Sequence, residues 1–314
     1  MRVKNWIGKN TWIWAMLGTF VLWMLISVIS GGITMKTLLM NATLASFLAL
    51  LALGQMVVIT SGDGAIDLSL SYVVTLAAFL SCRFMAGGGI KIVTGLLITV
   101  LVCAAIGFLN GLINIFLKIP AIITTLATGY ITYSGILMFS NNASGTATTE
   151  VVNFSKIRFG SLSIITVICI AIAVLFLFLM YKTKYGKQIH AIGQSRRAAY
   201  LSGIRVNVLV IISFIISSLL GAIVGILLCG YDSGAFLDLG NTYALTSVAA
   251  TLLGGTIVSG GKCSVVGTIF GAMMLTLVVS FITLTKLSIG IQYIIEGAIL
   301  IMILTVSTKK EEAE

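Results

Sequence analysis

The chain has 314 residues, a mean hydropathy of +1.14 and 59% hydrophobic residues, and only 9% of its residues are charged. Soluble domains carry roughly a quarter charged residues, so this composition excludes an ordinary soluble enzyme or a nucleic-acid-binding domain. No segment is polar and long enough to form a separate ATPase, kinase or protease domain. The net charge of +10 comes from lysines and arginines between apolar runs, which is typical of a membrane protein.

Apolar runs recur along the whole sequence, and several are long enough to cross a bilayer, which takes about 20 residues per helix. They predict an all-α fold, a single polytopic transmembrane helical bundle over residues 1–314 with about ten spans. The first span follows a basic segment, and we expect it to be a retained helix because no clear cleavage site follows it. In chain order the predicted spans are about 12–30, 38–60, 65–84, 91–117, 120–140, 161–181, 207–230, 243–258, 264–284 and 288–307.

Lysines and arginines predict the orientation, because cytoplasmic loops of membrane proteins are enriched in them. With a cytoplasmic N-terminus, 13 of the 19 fall on the inner side, among them Lys309 and Lys310 after the last span. The remaining six fall on the outer side or at outer helix ends: Lys36, Arg83, Lys91, Lys156, Arg158 and Lys286. We therefore expect both termini to be cytoplasmic.

Two glycine-rich stretches that carry charge interrupt the apolar pattern. The first is 61–67 (SGDGAID), and the second runs from Gly254 to Lys262. Backbone that leaves the helix at membrane depth is tolerated only when it is buried in protein or lines a cavity. Paired breaks indicate a substrate path between structural repeats, and the halves that begin near residues 38 and 207 would be inverted. Close packing of helices is the alternative, and it is the expected role of the isolated glycines Gly107, Gly111, Gly129 and Gly135.

Three ionisable residues lie within or beside the predicted spans: Asp67, Glu296 and Arg83. A charge in the bilayer is costly, so each is a functional hypothesis. Asp67 is expected to accept hydrogen bonds at the start of the following helix or to act in gating, with direct contact to a solute as the alternative. Glu296 is expected to pair with a cation or to bond across helices, with a proton relay as the alternative, and Arg83 to extend to the outer interface.

The sequence offers little that could hold a metal or a cofactor, and none is predicted. The five cysteines follow no paired spacing and are expected to be buried small hydrophobic residues. His190 is the single histidine. The stretch 260–262 (GGK) differs from a phosphate loop, because Thr256 replaces the first glycine and Cys263 replaces the residue that would bind Mg²⁺.

The most polar interior stretch, 183–207 (TKYGKQIHAIGQSRRAAYLSGIRVN), lies between two long apolar runs. Apolar residues such as Ala199 and Leu201 would give a short helix an apolar stripe, with Arg196 and Arg197 at its rim. This composition suits a cytoplasmic loop that docks into a groove of a partner protein. A basic loop that merely obeys the positive-inside rule is the alternative.

Five stretches occur in an order that resembles one family, the bacterial sugar ABC-transporter permeases of the ribose, galactose, xylose and autoinducer-2 group. They are 59–69 (ITSGDGAIDLS), 110–112 with 119–126 (NGL and IPAIITTL), 185–193 (YGKQIHAIG) with 198–204, 253–261, and 266–272 (VGTIFGA). The resemblance covers nearly the whole chain after residue 40. The chain departs from the family pattern at Asp63 and Gly64 and at Lys262 and Cys263, which bears on the ligand and not on the class.

The resemblance implies a fold like that of the type II ABC importers and a transport function without enzymatic activity on this chain. Two permeases, which are two copies or two related chains, would join two ATP-binding subunits (or a fused dimer), and an extracytoplasmic binding protein would deliver a monosaccharide or a related small polyol. The protein would lie among the lipids of the bacterial inner membrane, without a nucleic-acid partner. The segment 183–206 would be the coupling loop to the ATPase, through Gly186, His190, Gly193, Arg196, Arg197, Ala198, Ala199, Leu201 and Gly203.

A sugar path is expected to be lined by hydroxyl and amide groups with a few aromatic faces. Residues of these types at suitable positions in the spans, with Asp67 added from the family motif, are the candidates: Asp67, Tyr72, Asn110, Asn114, Thr124, Thr125, Thr128, Asn241 and Tyr243.

Three other functions are alternatives to this interpretation. A permease for a branched-chain amino acid or a nucleoside is the nearest, because those ABC permeases have related folds. An ion-coupled secondary transporter would be expected to carry more buried carboxylates and would not need a basic docking loop. An intramembrane enzyme would need clustered nucleophiles, metal ligands or acid–base pairs.

Overall fold

The computed structural model describes residues 12–29, 35–140, 145–288, 290–292, 294–295, 297–298 and 301–302. Within these ranges the fold is a helical bundle with one two-stranded hairpin at its edge. The helices are α1 (Trp12–Ile29), α2 (Met35–Thr60), α3 (Leu70–Phe84), α4 (Ile90–Phe116), α5 (Ala121–Ser140), α6 (Thr149–Lys156), α7 (Ile164–Lys182), α8 (Lys184–Gln194), α9 (Arg196–Leu201), α10 (Val206–Tyr231), α11 (Tyr243–Leu253) and α12 (Val265–Leu284). The antiparallel strands β1 (Arg158–Phe159) and β2 (Leu162–Ser163) pair Arg158 with Ser163 and Phe159 with Leu162.

Seven of the described helices are long and apolar enough to cross a membrane, namely α1, α2, α4, α5, α7, α10 and α12. The multi-pass helical architecture predicted from the sequence is therefore confirmed. The predicted spans 65–84 and 243–258 correspond to two shorter apolar helices, α3 with 15 residues and α11 with 11. They are shorter because the backbone leaves the helix over 61–69 and 254–264. The predicted span 288–307 lies largely outside the described residues, and those described between 290 and 302 have helical backbone.

The connections differ from the sequence expectation in two places. The outer loop expected over 141–158 contains the helix α6, whose Val151 and Ser155 are buried against α10. The Ser155 hydroxyl donates to the Leu227 carbonyl oxygen (3.3 Å), which fixes α6 to the end of α10. The basic stretch 183–206 forms two helices, α8 and α9, and not one, because Ser195 leaves the helix and caps α9 through the Ala198 amide.

Helices α2 and α10 form the buried centre of the bundle, with 83% and 61% of their spans buried, whereas only 28% of α1 and 22% of α4 are buried. Large apolar side chains cover the outer faces, for example Leu101 on α4 and Val174 on α7, and such faces suit contact with lipid. Glycines let helices approach closely: a Cβ at Gly107 would lie 2.8 Å from Ser218 Oγ, and one at Gly111 would lie 2.7 Å from Ile211 Cα.

The packing role expected for isolated glycines holds for three of the four. Gly129 is also closely approached, since a Cβ there would lie 2.8 Å from a ring carbon of Tyr72. The expectation is wrong for Gly135, where a Cβ would meet no atom within 4 Å. Gly135 lies on a face of α5 that no other part of the described structure covers.

Successive connections alternate between two ends of the bundle. At one end, which we call the basic end, lie the connections 61–64, 117–120, 182–205 and 254–264. Hydrogen bonds join these segments to one another. The backbone amide of Gly261 donates to the Thr60 carbonyl oxygen (3.0 Å), for example. The basic end carries the cations Lys118, Lys182, Lys184, Lys187, Arg196, Arg197, Arg205 and Lys262.

At the opposite end, which we call the far end, lie the connections 85–89, 145–163 and 232–242. Thr146 and Gly234 form an isolated antiparallel bridge there, which joins the connection before α6 to the connection after α10. Its acidic residues include Glu150, Asp232 and Asp238. The two ends therefore differ in charge.

Candidate functional site

The first break in the helical pattern lies between α2 and α3, at the basic end. Helix α2 ends at Thr60, and the next residues turn the chain through three consecutive left-handed conformations at Gly62, Asp63 and Gly64 (φ 84°, 56° and 62°). Residues 65–67 then have no regular structure, and residues 68–69 form a turn before α3 begins at Leu70. Ser61, Asp67 and Ser69 are fully buried. This is non-helical backbone inside the protein, as the sequence predicted.

Asp67 stands at the centre of a buried hydrogen-bond network. Its Oδ1 accepts from the amide and the hydroxyl of Ser69 (3.1 and 2.6 Å), and its Oδ2 accepts from the Ser217 hydroxyl of α10 (2.8 Å). The Gln55 side chain of α2 bonds both backbone groups of Asp67: it accepts from the amide (3.1 Å) and donates to the carbonyl oxygen (2.8 Å). The carboxylate therefore joins the broken segment to α10 and to the start of α3.

The network continues into α4 and α5. The Asn110 amide group donates to the Ser69 hydroxyl (2.8 Å) and accepts from the Thr128 hydroxyl (2.5 Å). The Thr125 hydroxyl accepts from the Leu68 amide (3.0 Å). Four helices, α2, α4, α5 and α10, thus hold the broken segment through their side chains.

The structure brings together four of the nine residues predicted to line a substrate path and places the other five elsewhere. Asp67, Asn110, Thr125 and Thr128 share the network described above. The Tyr72 ring lies 5.8 Å from both the Tyr130 and the Tyr133 rings, in an aromatic cluster between α3 and α5.

Asn114 and Thr124 both bond the Ile119 carbonyl oxygen at the corner between α4 and α5 (2.8 and 3.5 Å). Asn241 and Tyr243 lie apart from the network, where α11 begins at the far end. Glu296, named from the sequence as a residue that would pair or bond within the membrane, lies outside the described residues.

The second break lies between α11 and α12 and meets the first one. Gly255, Gly260 and Gly261 adopt left-handed conformations (φ 92°, 95° and 76°), and Ser264 caps α12 by accepting from the Gly267 amide (3.1 Å). The Gly261 amide donates to the Thr60 carbonyl oxygen where α2 ends (3.0 Å). The two interruptions that the sequence places about 190 residues apart therefore form one structure.

A third segment, the end of α8, completes this contact. Gly193 lies so close to Thr60 and Gly261 that a Cβ on it would overlap the Thr60 carbonyl oxygen and the Gly261 nitrogen. A Cβ at Gly62 would lie 2.9 Å from the Gly193 Cα, and one at Gly260 would overlap the backbone of Gly62. Backbones this close require glycine. We call these four residues, Gly62, Gly193, Gly260 and Gly261, the glycine junction.

Helices α8 and α9 are joined to both breaks by side chains as well. His190 Nδ1 donates to the Gly261 carbonyl oxygen (3.0 Å), and Nε2 lies 3.8 Å from the Cys263 sulfur. Arg196 Nη1 lies 2.9 Å from Asp63 Oδ2, a residue of the first break. Burial lowers the pKa of the Arg196 guanidinium, and the Asp63 carboxylate opposes that shift.

The other residues predicted to couple to a partner divide into a buried set and an exposed set. Gly186 packs against the end of α7, and Ala199 is buried. Tyr200 and Leu201 are 71% and 77% exposed although they are large and apolar. Also exposed are Arg197, Ala198 and Gly203. The residues predicted to form one apolar stripe, Ala191, Ala198, Ala199, Leu201 and Ile204, do not share one face: Ala199 is buried and Ala191 and Ile204 are half-buried, whereas Ala198 and Leu201 are exposed.

A cavity of about 580 Å³ opens at the basic end between the α4–α5 corner and α9. Its lining includes Asn114, Lys118 and Arg196. Asn114 Oδ1 and the Nε and Nη2 groups of Arg196 are buried without a hydrogen-bond partner among the described residues. These three atoms have almost no solvent-accessible surface, so the cavity does not expose them. Within the described ranges, no three His, Cys, Asp or Glu side chains come together as a metal site.

Two members of the network were not predicted from the sequence, Gln55 and Ser217. Each is a polar residue within a long apolar helix, which is the signal that could have marked it. Nothing in the sequence pairs them with Asp67, since Ser217 is 150 residues away along the chain.

Comparison with known proteins gives one family for this architecture. The family model described as "Branched-chain amino acid transport system / permease component" matches residues 37–304. The galactose/methyl galactoside import permease protein MglC of Haemophilus influenzae is 31% identical over 293 residues, which cover 85% of this chain and 85% of the relative. No solved structure matches the chain.

Two further relatives match over a larger share of the chain. The ribose import permease protein RbsC of Escherichia coli is 29% identical over 317 residues, covering 98% of this chain and 96% of the relative. The autoinducer 2 import system permease protein LsrC of Photorhabdus luminescens is 28% identical over 301 residues, covering 95% and 90%. The predicted resemblance to bacterial sugar ABC-transporter permeases is confirmed by these similarities. Since the family match covers most of the sequence, the chain belongs to the permease family of the branched-chain amino acid type transport systems.

Proposed function

We propose that the chain is the membrane permease subunit of an ATP-binding-cassette importer for a monosaccharide or a related small polyol. An extracytoplasmic binding protein delivers the solute, and ATP is hydrolysed on separate subunits. The observation that carries this proposal is the glycine junction, where a surface helix pair touches both breaks of the membrane bundle. A motion imposed on that pair from outside the chain would reach both breaks at once.

The proposed orientation places the basic end in the cytoplasm of a bacterial cell and the far end outside the inner membrane. The connections alternate between the ends, so nine described helices cross the bundle, and a last helix after α12 would make ten spans in one domain. Both termini would then be cytoplasmic. The cation excess at the basic end supports this orientation.

Inverted repeats are part of the proposal. Helices α2 to α5 would form one repeat, and α10 to α12 with the last helix the other. In this pairing the break between α2 and α3 at the basic end corresponds to the connection between α10 and α11 at the far end. Such inverted pairing fits a transporter that opens alternately to its two sides.

Helices α8 and α9 are proposed as the coupling element. Tyr200 and Leu201 form its exposed apolar contact, and Arg197 lies beside them. An ATPase subunit would seat these side chains in a groove, as apolar helix anchors do in other complexes. On the inner side, His190, Gly193 and Arg196 would pass the displacement to the two breaks as a rigid-body motion.

The path for the solute is proposed to run past the broken segment. We call the two breaks, residues 61–69 and 254–264, the gate. Asn110, Thr125 and Thr128 hold the first break in place, so their proposed role is to support the gate. The aromatic faces of Tyr72, Tyr130 and Tyr133 would contact the sugar ring, and Tyr130 is 61% exposed on α5. A second permease copy or a related chain would close the other side of the path.

The cavity at the basic end is the proposed exit. Polar side chains in its lining, among them Asn114, Lys118 and Arg197, could form hydrogen bonds with the hydroxyl groups of a polyol. The relatives named for galactose, ribose and autoinducer 2 support this substrate class. A branched-chain amino acid is the second candidate, since the family description names it. The ligand of the cognate binding protein decides between the two.

The coupling surface can be tested by pull-down of the cognate ATPase subunit with the purified permease. Tyr200→Ala with Leu201→Ala should weaken association at least tenfold, because truncating a hot-spot residue of an interface costs about 2 kcal/mol or more. Phe236→Ala at the far end, where the side chain is 51% exposed, serves as the matched control and should bind normally. Normal association of the double variant would contradict the proposed coupling surface.

A further inference from the structure

Two cysteines that lie 147 residues apart in the sequence meet in the structure. Cys82 lies in the last turn of α3 and Cys229 in the last turn of α10, and their sulfur atoms are 3.2 Å apart. Both side chains are buried, with exposed fractions of 2% and 0%. The sulfurs are closer than two ordinary apolar atoms in contact, and either thiol could donate a hydrogen bond to the other.

The helices that carry this pair are held together by small residues. A Cβ at Gly221 of α10 would lie 3.0 Å from Val73 Cγ1 of α3, and one at Gly225 would lie 2.6 Å from Ala77 Cβ. The two backbones are therefore already at close approach. A disulfide, in which the sulfurs are about 2.05 Å apart, requires the two sulfur atoms to move together by roughly 1 Å.

We propose that Cys82 and Cys229 form a disulfide in the native membrane. Both lie at the far end of the bundle, which the proposed function places on the extracytoplasmic side, where disulfides form and persist. The inference rests on the proposed function only for this orientation. The pairing itself rests on the sulfur contact and on the close packing of α3 and α10.

The oxidation is a thiol–disulfide exchange with a disulfide-bearing oxidant, such as an extracytoplasmic thiol oxidoreductase. One cysteine thiolate attacks a sulfur of the oxidant's disulfide and forms a mixed disulfide. The second thiolate then displaces the oxidant and forms the Cys82–Cys229 bond. The oxidant leaves as a dithiol, having taken up the two electrons and two protons that the cysteines lose. Because the folded pair is buried, the exchange takes place before the far ends of α3 and α10 have packed.

The bond would join two helices that both reach the gate. Helix α3 begins at the first break, and α10 carries Ser217, which bonds Asp67. A link at their far ends leaves the gate free to move at the basic end while α3 and α10 stay together. Transport is therefore expected to continue in the oxidised protein, and the melting temperature is expected to rise.

The test determines whether Cys82 and Cys229 are linked in a disulfide or are free thiols. Cells that express the full chain are quenched in acid, denatured and treated with N-ethylmaleimide, and the peptides are analysed by mass spectrometry without reduction. The expected result is a peptide pair linked through Cys82 and Cys229, with Cys103, Cys169 and Cys263 alkylated. After reduction with dithiothreitol, both members of the pair should become alkylated. Full alkylation of Cys82 and Cys229 before reduction would overturn the proposal.

Two variants separate this proposal from the proposed orientation. In Cys229→Ser, Cys82 should be alkylated without reduction and the melting temperature should fall, whereas Cys103→Ser should keep the linked peptide. A membrane-impermeant maleimide should label Glu150→Cys in α6 from outside the cell, because Glu150 is exposed at the far end. Outside labelling together with free Cys82 and Cys229 overturns the disulfide alone. Labelling only after the membrane is opened overturns the orientation, and the linked peptide then decides on the disulfide by itself.

Discussion

The Asp67 carboxylate is held by neutral donors of the protein and by no cation among the described residues. Its two oxygens accept from Ser69 and Ser217, and its backbone is bonded by Gln55. A buried acid with all its neighbours arranged to donate fixes the geometry of the segment around it. Asp67 therefore holds the backbone of the first break in its observed conformation.

Replacing Asp67 separates its hydrogen bonding from its size. Asp67→Ala leaves the donors of Ser69 and Ser217 buried without an acceptor, at a cost of about 1–3 kcal/mol for each unsatisfied group. Asp67→Asn keeps one acceptor oxygen and should be less destabilising. The melting temperature of the purified protein should fall in the order wild type, Asn variant, Ala variant. Asp238→Asn, which changes an exposed acid at the far end, should leave it unchanged, and equal melting temperatures for all four proteins would contradict this role.

Gly193 allows a second prediction. A methyl group there overlaps backbone atoms of Thr60 and Gly261, so Gly193→Ala must push α8 away from the breaks, at about 1–3 kcal/mol of strain. We expect ATP-driven uptake to fall at least tenfold while the ATPase subunit still binds. Gly135→Ala meets no neighbour within 4 Å and serves as the control. Undiminished uptake by the Gly193 variant would show that the close contact is dispensable.

Much of the gate could be predicted from sequence because its signals are local. The charged glycine stretches at 61–67 and 254–262 interrupt apolar runs, and Asp67 is a rare acid among them. The partners Gln55 and Ser217 could not be predicted, since a polar residue in an apolar helix does not reveal which face it occupies. The same holds for Cys82 and Cys229, which were expected to be unpaired hydrophobic residues.

The helix pair α8 and α9 is the element that connects the surface to the breaks. Its capping residues Thr183 and Ser195 define two short helices, and the turn between them brings Arg196 to Asp63. The sequence predicted one helix with a single apolar stripe. The pattern could not separate residues that pack inward, such as Ala199, from apolar residues left exposed, such as Leu201.

The Arg196–Asp63 ion pair should matter for coupling more than for stability. Asp63 is 64% exposed and Arg196 26% exposed, and pairs this accessible contribute about 0.2–1 kcal/mol. Arg196→Asp alone places a second carboxylate next to that of Asp63, and the two repel each other. Because this separates α9 from the first break, ATP hydrolysis should be uncoupled from uptake. The exchanged pair, Arg196→Asp with Asp63→Arg, should recover part of the coupling. Uptake per ATP hydrolysed is the measurement, and a single variant as well coupled as the wild type would contradict the role.

For the whole molecule, the arrangement fits the proposed passive gate. The buried centre of α2 and α10 carries the Asp67 network, both breaks meet at the basic end, and the helices that touch them expose their outer face. The described part of the chain holds one buried carboxylate in the network, where an ion-coupled carrier would be expected to use several. The energy for transport would therefore come from a partner through α8 and α9.

The most direct test of this account is solute uptake into sealed vesicles that contain the purified permease. With the ATPase subunits, the binding protein and ATP present, the vesicles should accumulate the sugar against its gradient. The permease alone, given only a proton or sodium gradient, should accumulate none. Accumulation by the permease alone would contradict the account.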